Sequence, residues 1–220
     1  MRNKGYQSIV HIPVDSVTLE GELYVPQGAK GIVVFAHGSG SSRFSSRNIF
    51  VAEVLRSAGL GTLLFDLLTR QEDRDYENRF NIPLLARRLI AATKWLRTQE
   101  KTRELRIGYF GASTGAAAAL IAAAELSTEI KAVVSRGGRP DLAMEVLEQV
   151  TAPTLFIVGG DDDVVLELNR SAMQEMKGKA ELEVIPGATH LFEETGALEE
   201  VARLATEWFT KYFPLDYAKD

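Results

Sequence analysis

Short apolar runs alternate with helical periodicities along most of this chain, and the alternation is regular enough to draw the architecture. Residues 7–13 and 17–25 read as two strands joined by a short turn. In the second, Val17, Leu19, Gly21, Leu23 and Val25 fall on one side and Thr18, Glu20, Glu22 and Tyr24 on the other, the half-buried pattern of an antiparallel edge. Residues 32–36, 61–67, 105–110, 130–135 and 153–158 are instead continuous apolar runs, as expected of strands covered on both faces. A last strand is read at 182–185. Between them the i, i+3, i+4 spacing predicts helices at 47–58, 82–99, 116–124, 141–149, 166–176 and 197–212. Pro83 falls in the first turn of the second helix, where proline is tolerated. Strand and helix alternating in this way predict a mostly parallel, doubly wound α/β sheet of about eight strands with an antiparallel N-terminal edge. The arrangement is three-layer αβα without a large lid, a single domain over 1–220.

The centre of the pattern is Gly111-Ala112-Ser113-Thr114-Gly115, between an apolar strand and a long alanine-rich run. Strand, very tight turn and helix are the context that the G-x-S-x-G motif requires. The turn strains the serine backbone, and the flanking glycines let strand and helix pass closely. The serine oxygen then stands above the sheet, and the Thr114 N–H points at whatever it attacks.

Only three histidines, His11, His37 and His190, can serve such a serine as base. His11 lies in the first strand, where a structural or surface role is expected. His37 opens His37-Gly38-Ser39-Gly40 at the end of an apolar strand, a pattern similar to the oxyanion-hole loop of esterases. There His37 braces the loop, and the Ser39 N–H joins that of Thr114. His190 follows the last strand in Gly187-Ala188-Thr189-His190, and an aspartate cluster, Asp161, Asp162 and Asp163, follows the strand before it. Strand carboxyl ends share one edge of a doubly wound sheet, so Ser113, the aspartates and His190 converge there.

Ser, Asp, His is the chain order of the α/β-hydrolase triad. With the four motifs in sequence, the chain resembles that superfamily along nearly its whole length. Its size and the short connection between Arg136 and Pro153 look like the dienelactone hydrolase-like branch. The G-x-x-D-x-x-V pattern of that resemblance fits Gly159, Asp162 and Val165, selecting Asp162 as the acid with Asp161 and Asp163 as alternatives. One departure matters: dienelactone hydrolases proper carry a cysteine nucleophile, whereas this chain has Ser113 and no cysteine. The resemblance therefore implies a serine carboxylesterase acting on a small ester through an acyl-enzyme, with no cofactor and no metal. The alternatives on the same triad are thioesterase, amidase, peptidase, acyltransferase or lactone hydrolysis, with a non-catalytic binding module as the remaining one.

Composition narrows the partners. The net charge of −5 comes without a basic stripe, which argues against nucleic acid. No apolar run approaches the length of a membrane helix, and residues 1–5 lead into a strand with no signal-like stretch, so a cytoplasmic monomer or homodimer is expected. Four side chains are candidates for the substrate pocket. Tyr76 and Phe80 stand in a polar loop at 68–81; Arg43 and Arg136, with Arg139 beside the latter, could fork onto an anionic substrate.

Overall fold

The computed structural model describes residues 5–213; the segment 1–4, and with it most of the opening stretch read for a leader, lies outside the described residues. Eight strands form one sheet: β1 (Gly5–Val14), β2 (Val17–Pro26), β3 (Gly31–Ala36), β4 (Gly61–Phe65), β5 (Arg106–Ala112), β6 (Ile130–Arg136), β7 (Thr154–Gly159) and β8 (Ala180–Ile185). Their order is β1-β2-β4-β3-β5-β6-β7-β8. The β1–β2 and β2–β4 pairs are antiparallel, and every pair from β4 to β8 is parallel. The antiparallel N-terminal edge and parallel body are those the hydrophobic pattern implies.

Among the described residues five α-helices cover the sheet: α1 (Ser46–Ser57), α2 (Ile82–Thr98), α3 (Thr114–Leu126), α4 (Asp163–Glu175) and α5 (Ala197–Tyr212). Successive residues of the central strands feed opposite faces, as a period of two requires. Ile32 and Val34 of β3 join a core with Leu89 of α2 and Ala118 of α3. Val33 and Phe35 join a second with Leu55 of α1 and Phe209 of α5. Helix α3 is buried almost all round, and its alanines give it the slim profile this position demands.

Three elements differ from the sequence reading. Residues 140–149 form a 3₁₀ segment rather than an α-helix, beginning at Pro140. The loop at 68–81 folds into two short 3₁₀ turns, Glu72–Arg74 and Tyr76–Phe80. Helix α4 starts three residues earlier than its apolar spacing suggests, at Asp163, where an acidic side chain suits the positive end of the helix.

Candidate active site

Ser113 sits between β5 and α3 with φ 51° and ψ −121°, in a region non-glycine residues seldom occupy. The surroundings over-determine it. Its N–H donates to the Arg136 carbonyl at 3.2 Å, and its own carbonyl accepts the N–H groups of Ala116 and Arg139, both at 3.1 Å. Gly115 explains the tightness: a Cβ there would lie 2.2 Å from the Ala36 carbonyl oxygen and 2.5 Å from that of His37. Only a residue without a side chain lets α3 start so close to the end of β3.

Asp162 and His190 arrive from the ends of neighbouring strands. The Gly160 N–H donates to Ile185 at 2.8 Å and the Asp161 N–H to Ala188 at 2.9 Å, tying the loop after β7 to the loop after β8. That seam brings His190 Nδ1 to 2.7 Å from Asp162 Oδ2. The contact distinguishes among the three aspartates: Asp162 holds the ring, Asp161 uses its N–H in the seam, and Asp163 opens α4. With Nδ1–H directed at the carboxylate, Nε2 is the nitrogen left to accept a proton. Ser113 and His190 line one cavity of about 240 Å³, together with Ser39, Ser41, Arg47 and Arg136.

The loop after β3 is braced as the sequence reading has it. His37 is buried, accepts the Leu67 N–H at Nε2 (3.0 Å), and so carries its own proton at Nδ1, 3.0 Å from the Gly38 carbonyl. Burial pushes its pKa below the usual histidine value and keeps the ring neutral. His11 is exposed on β1. The Ser39 N–H, read as an oxyanion donor, is engaged: it donates to Thr114 Oγ1 at 2.8 Å. The Thr114 N–H belongs to the first turn of α3, whose donors have no helical carbonyl to reach.

The other predicted pocket residues separate. Arg43 ion-pairs with Asp66, and with Glu20 at 2.7 Å, and lines two other cavities rather than the one at Ser113. Two carboxylates answer its charge. Tyr76 and Phe80 pair with each other, ring centres 5.1 Å apart, on an exposed turn and are not among the residues that line that cavity. Arg139 is forked onto Asp141. Arg136 alone of the three arginines reaches the Ser113 cavity. Arg47 joins it there, and sequence reasoning passed over it. One signal was available: an arginine in the first turn of α1 opposes the helix dipole, an arrangement that calls for a reason.

A strained serine at a strand-to-helix turn, a histidine on the last strand's loop and an aspartate holding that histidine, all on this sheet, are features of the α/β-hydrolase fold. The chain belongs to the dienelactone hydrolase family, matching it over residues 19–213. It is similar to a dienelactone hydrolase from Anabaena variabilis, 54% identical, with a TM-score of 0.93 over 95% of this chain and 99% of that one. It is also 61% identical over 200 residues to a Mycobacterium tuberculosis protein named "Putative phosphoribosyl transferase". That match takes in 91% of this chain but 45% of the relative, so the chain spans about half the length of the curated relatives it matches first. Est1E from Butyrivibrio proteoclasticus shares the fold at 18% identity, with a TM-score of 0.80 over 93% of this chain and 98% of its own.

Proposed function

We propose that this chain is a serine hydrolase that cleaves carboxylic esters of small organic acids through an acyl-enzyme. The observation that carries the reading is the His190–Asp162 contact, made at the rim of the cavity that also holds the strained Ser113. A serine hydroxyl is a weak nucleophile at neutral pH, so the histidine takes its proton as the oxygen attacks the ester carbonyl. Asp162 keeps the ring in the useful tautomer and stabilises the imidazolium without taking the proton itself. The Thr114 N–H stabilises the tetrahedral oxyanion. The Ser39 N–H joins it by exchanging the Thr114 hydroxyl for the oxyanion as acceptor. The alcohol then leaves with a proton from His190, and water activated by the same ring releases the acid.

The chemistry runs on protein groups and water, in a cavity smaller than the roughly 300–1,000 Å³ usual for drug-sized ligands. That size supports short acyl groups. The name carried by the mycobacterial relative describes a protein with more than as much chain again outside the match, whereas this reading concerns the matched segment.

The test compares wild type with Ser113→Ala on p-nitrophenyl acetate, butyrate and octanoate, alongside labelling by a fluorophosphonate. Labelling at Ser113 and hydrolysis lost in the variant are expected, with the acetate and butyrate preferred. Equal hydrolysis by both proteins, or a folded wild type that takes no label, would overturn the reading.

A further inference from the structure

Asn169 of α4 is fully buried, and its Oδ1 has no hydrogen-bond partner. Its Nδ2 donates twice, to the Val165 carbonyl one turn back at 2.7 Å and to the Gly138 carbonyl at 3.0 Å. Both neighbours are acceptors, so only the amine side of the amide answers them. Leaving the oxygen buried and unpaired is costly, and the two donated bonds are what the residue gives in return. The first stays within one helix. The second spans 31 positions of sequence and joins two parts of the site.

Gly138 belongs to a strap, residues 136–139, that follows β6 and holds the Ser113 backbone from both ends. The Arg136 carbonyl accepts the Ser113 N–H at 3.2 Å, and the Arg139 N–H donates to the Ser113 carbonyl at 3.1 Å. Between them Gly137, at φ +51°, donates its N–H to the Ile157 carbonyl at 2.8 Å. A Cβ on Gly137 would stand 3.5 Å from His190 Cε1, so the histidine ring lies beside this glycine. Gly138 is wedged against α3, where a Cβ would come 2.7 Å from that of Ala116. The strap therefore touches Ser113 and His190 at once. Asn169, which pins it, stands seven positions on from Asp162, two turns along the helix that Asp162 caps and so on the same side of it.

We infer that Asn169 is a positioning residue for Ser113 and His190: by holding the Gly138 carbonyl it fixes the strap to the helix that begins beside Asp162, and so keeps the three side chains in one mutual geometry. The inference rests on the ester-hydrolase reading for the chemistry being positioned. Gly138 is buried, so without the amide its carbonyl has no water to turn to. The strap then moves to find a donor and takes the Ser113 backbone with it.

Asn169→Thr and Asn169→Leu test this against wild type. A threonine hydroxyl reaches the carbonyl four residues back in its own helix, as Thr93 does to Leu89 at 3.0 Å, but is too short for Gly138. It spares the helix bond and cuts the strap bond, whereas leucine cuts both at similar volume. On p-nitrophenyl acetate both variants are expected to lose about 10- to 100-fold in kcat with KM within about twofold, the signature of misplaced reacting groups. Fluorophosphonate labelling of Ser113 slows in parallel, and hydrogen exchange at the Ser113 and Arg139 amides quickens about tenfold or more. Thr93→Val, which breaks the buried hydroxyl pair with Tyr109 (2.6 Å), controls for lost stability: it melts lower and keeps the wild-type kcat. A wild-type kcat in either folded Asn169 variant, a loss confined to KM, or an equal kcat loss in Thr93→Val would overturn the inference. Asn169→Thr decides alone if the leucine variant fails to fold. A wild type that takes no fluorophosphonate sinks the hydrolase reading; unaltered amide exchange in variants of a protein that does take it sinks the positioning role alone.

Discussion

Gly115→Ala separates helix propensity from packing because the two predict opposite signs. Gly115 is the second residue of α3, and alanine in a helix is favoured over glycine by about 1 kcal/mol, so propensity alone predicts a more stable protein. The added methyl, however, would stand 2.2 Å from the Ala36 carbonyl oxygen and 2.5 Å from that of His37. Carbon-to-oxygen contacts settle near 3.3–3.6 Å, so the end of β3 and the start of α3 must part by about 1 Å. Both obstacles are backbone, and neither can swing away. An overpacking cost of about 3 kcal/mol is therefore reasonable, leaving a net loss of about 2 kcal/mol. For a chain of this size that lowers the melting temperature by about 4–8 °C. The same movement shifts Ser113 against His190, and a misplacement of about 1 Å is worth about 10²-fold in rate. Calorimetric melts and ester kcat/KM on the variant check both numbers. Gly187→Ala is the control: φ is +70° but nothing lies within 4 Å, so it loses about 1 kcal/mol from backbone strain alone. If Gly115→Ala melts at or above wild type and keeps its rate, the close-approach argument is wrong.

Two further predictions follow from the polar groups of the site. Asp162→Asn is expected to lower kcat by about 10⁴-fold, because an amide presents the wrong partner to the Nδ1–H of His190. Asp162 makes no side-chain cap to α4, so thermal melts should stay near wild type, and a kcat within tenfold would count against its role. Stability should also fall in mild acid through His37. Its native pKa is depressed by burial, so below the ordinary histidine value near 6.5 the unfolded chain binds a proton that the native ring refuses. Stability then drops as pH falls, by at most about 1.4 kcal/mol per pH unit, until the lower native pKa is reached. Urea midpoints at several pH values should show a shallower decline in His37→Gln than in wild type; identical slopes would refute the assignment.

The parts legible in the sequence are those fixed by local pattern. The strand-turn-helix around Ser113 is written in a short apolar run, two glycines and a stretch of alanines, and the structure follows it closely. His190 and the aspartate cluster were visible because each comes just after an apolar strand. The rest depends on partners distant in sequence. Arg43 resembled a pocket residue until Glu20 and Asp66, 23 positions away on either side, claimed its charge. The Ser39 N–H meets a hydroxyl 75 positions on, a contact that no window along the chain contains. Arg47 and Arg136 meet at one cavity, and only the folded sheet puts them there. Which aspartate holds His190 was narrowed by motif, but the choice is made in space by the seam between the last two loops.

That seam has a bearing on how the protein fails. Ser113 is anchored at the middle of the sheet, between β3 and β6, while His190 hangs from the loop after β8, an outermost strand paired on one side only and half open to water. Strands with a single neighbour are the first to loosen in native-state fluctuations. Opening of that rim would carry His190 away with the interior still intact, so thermal wear on this molecule begins as lost chemistry in a protein that still looks folded.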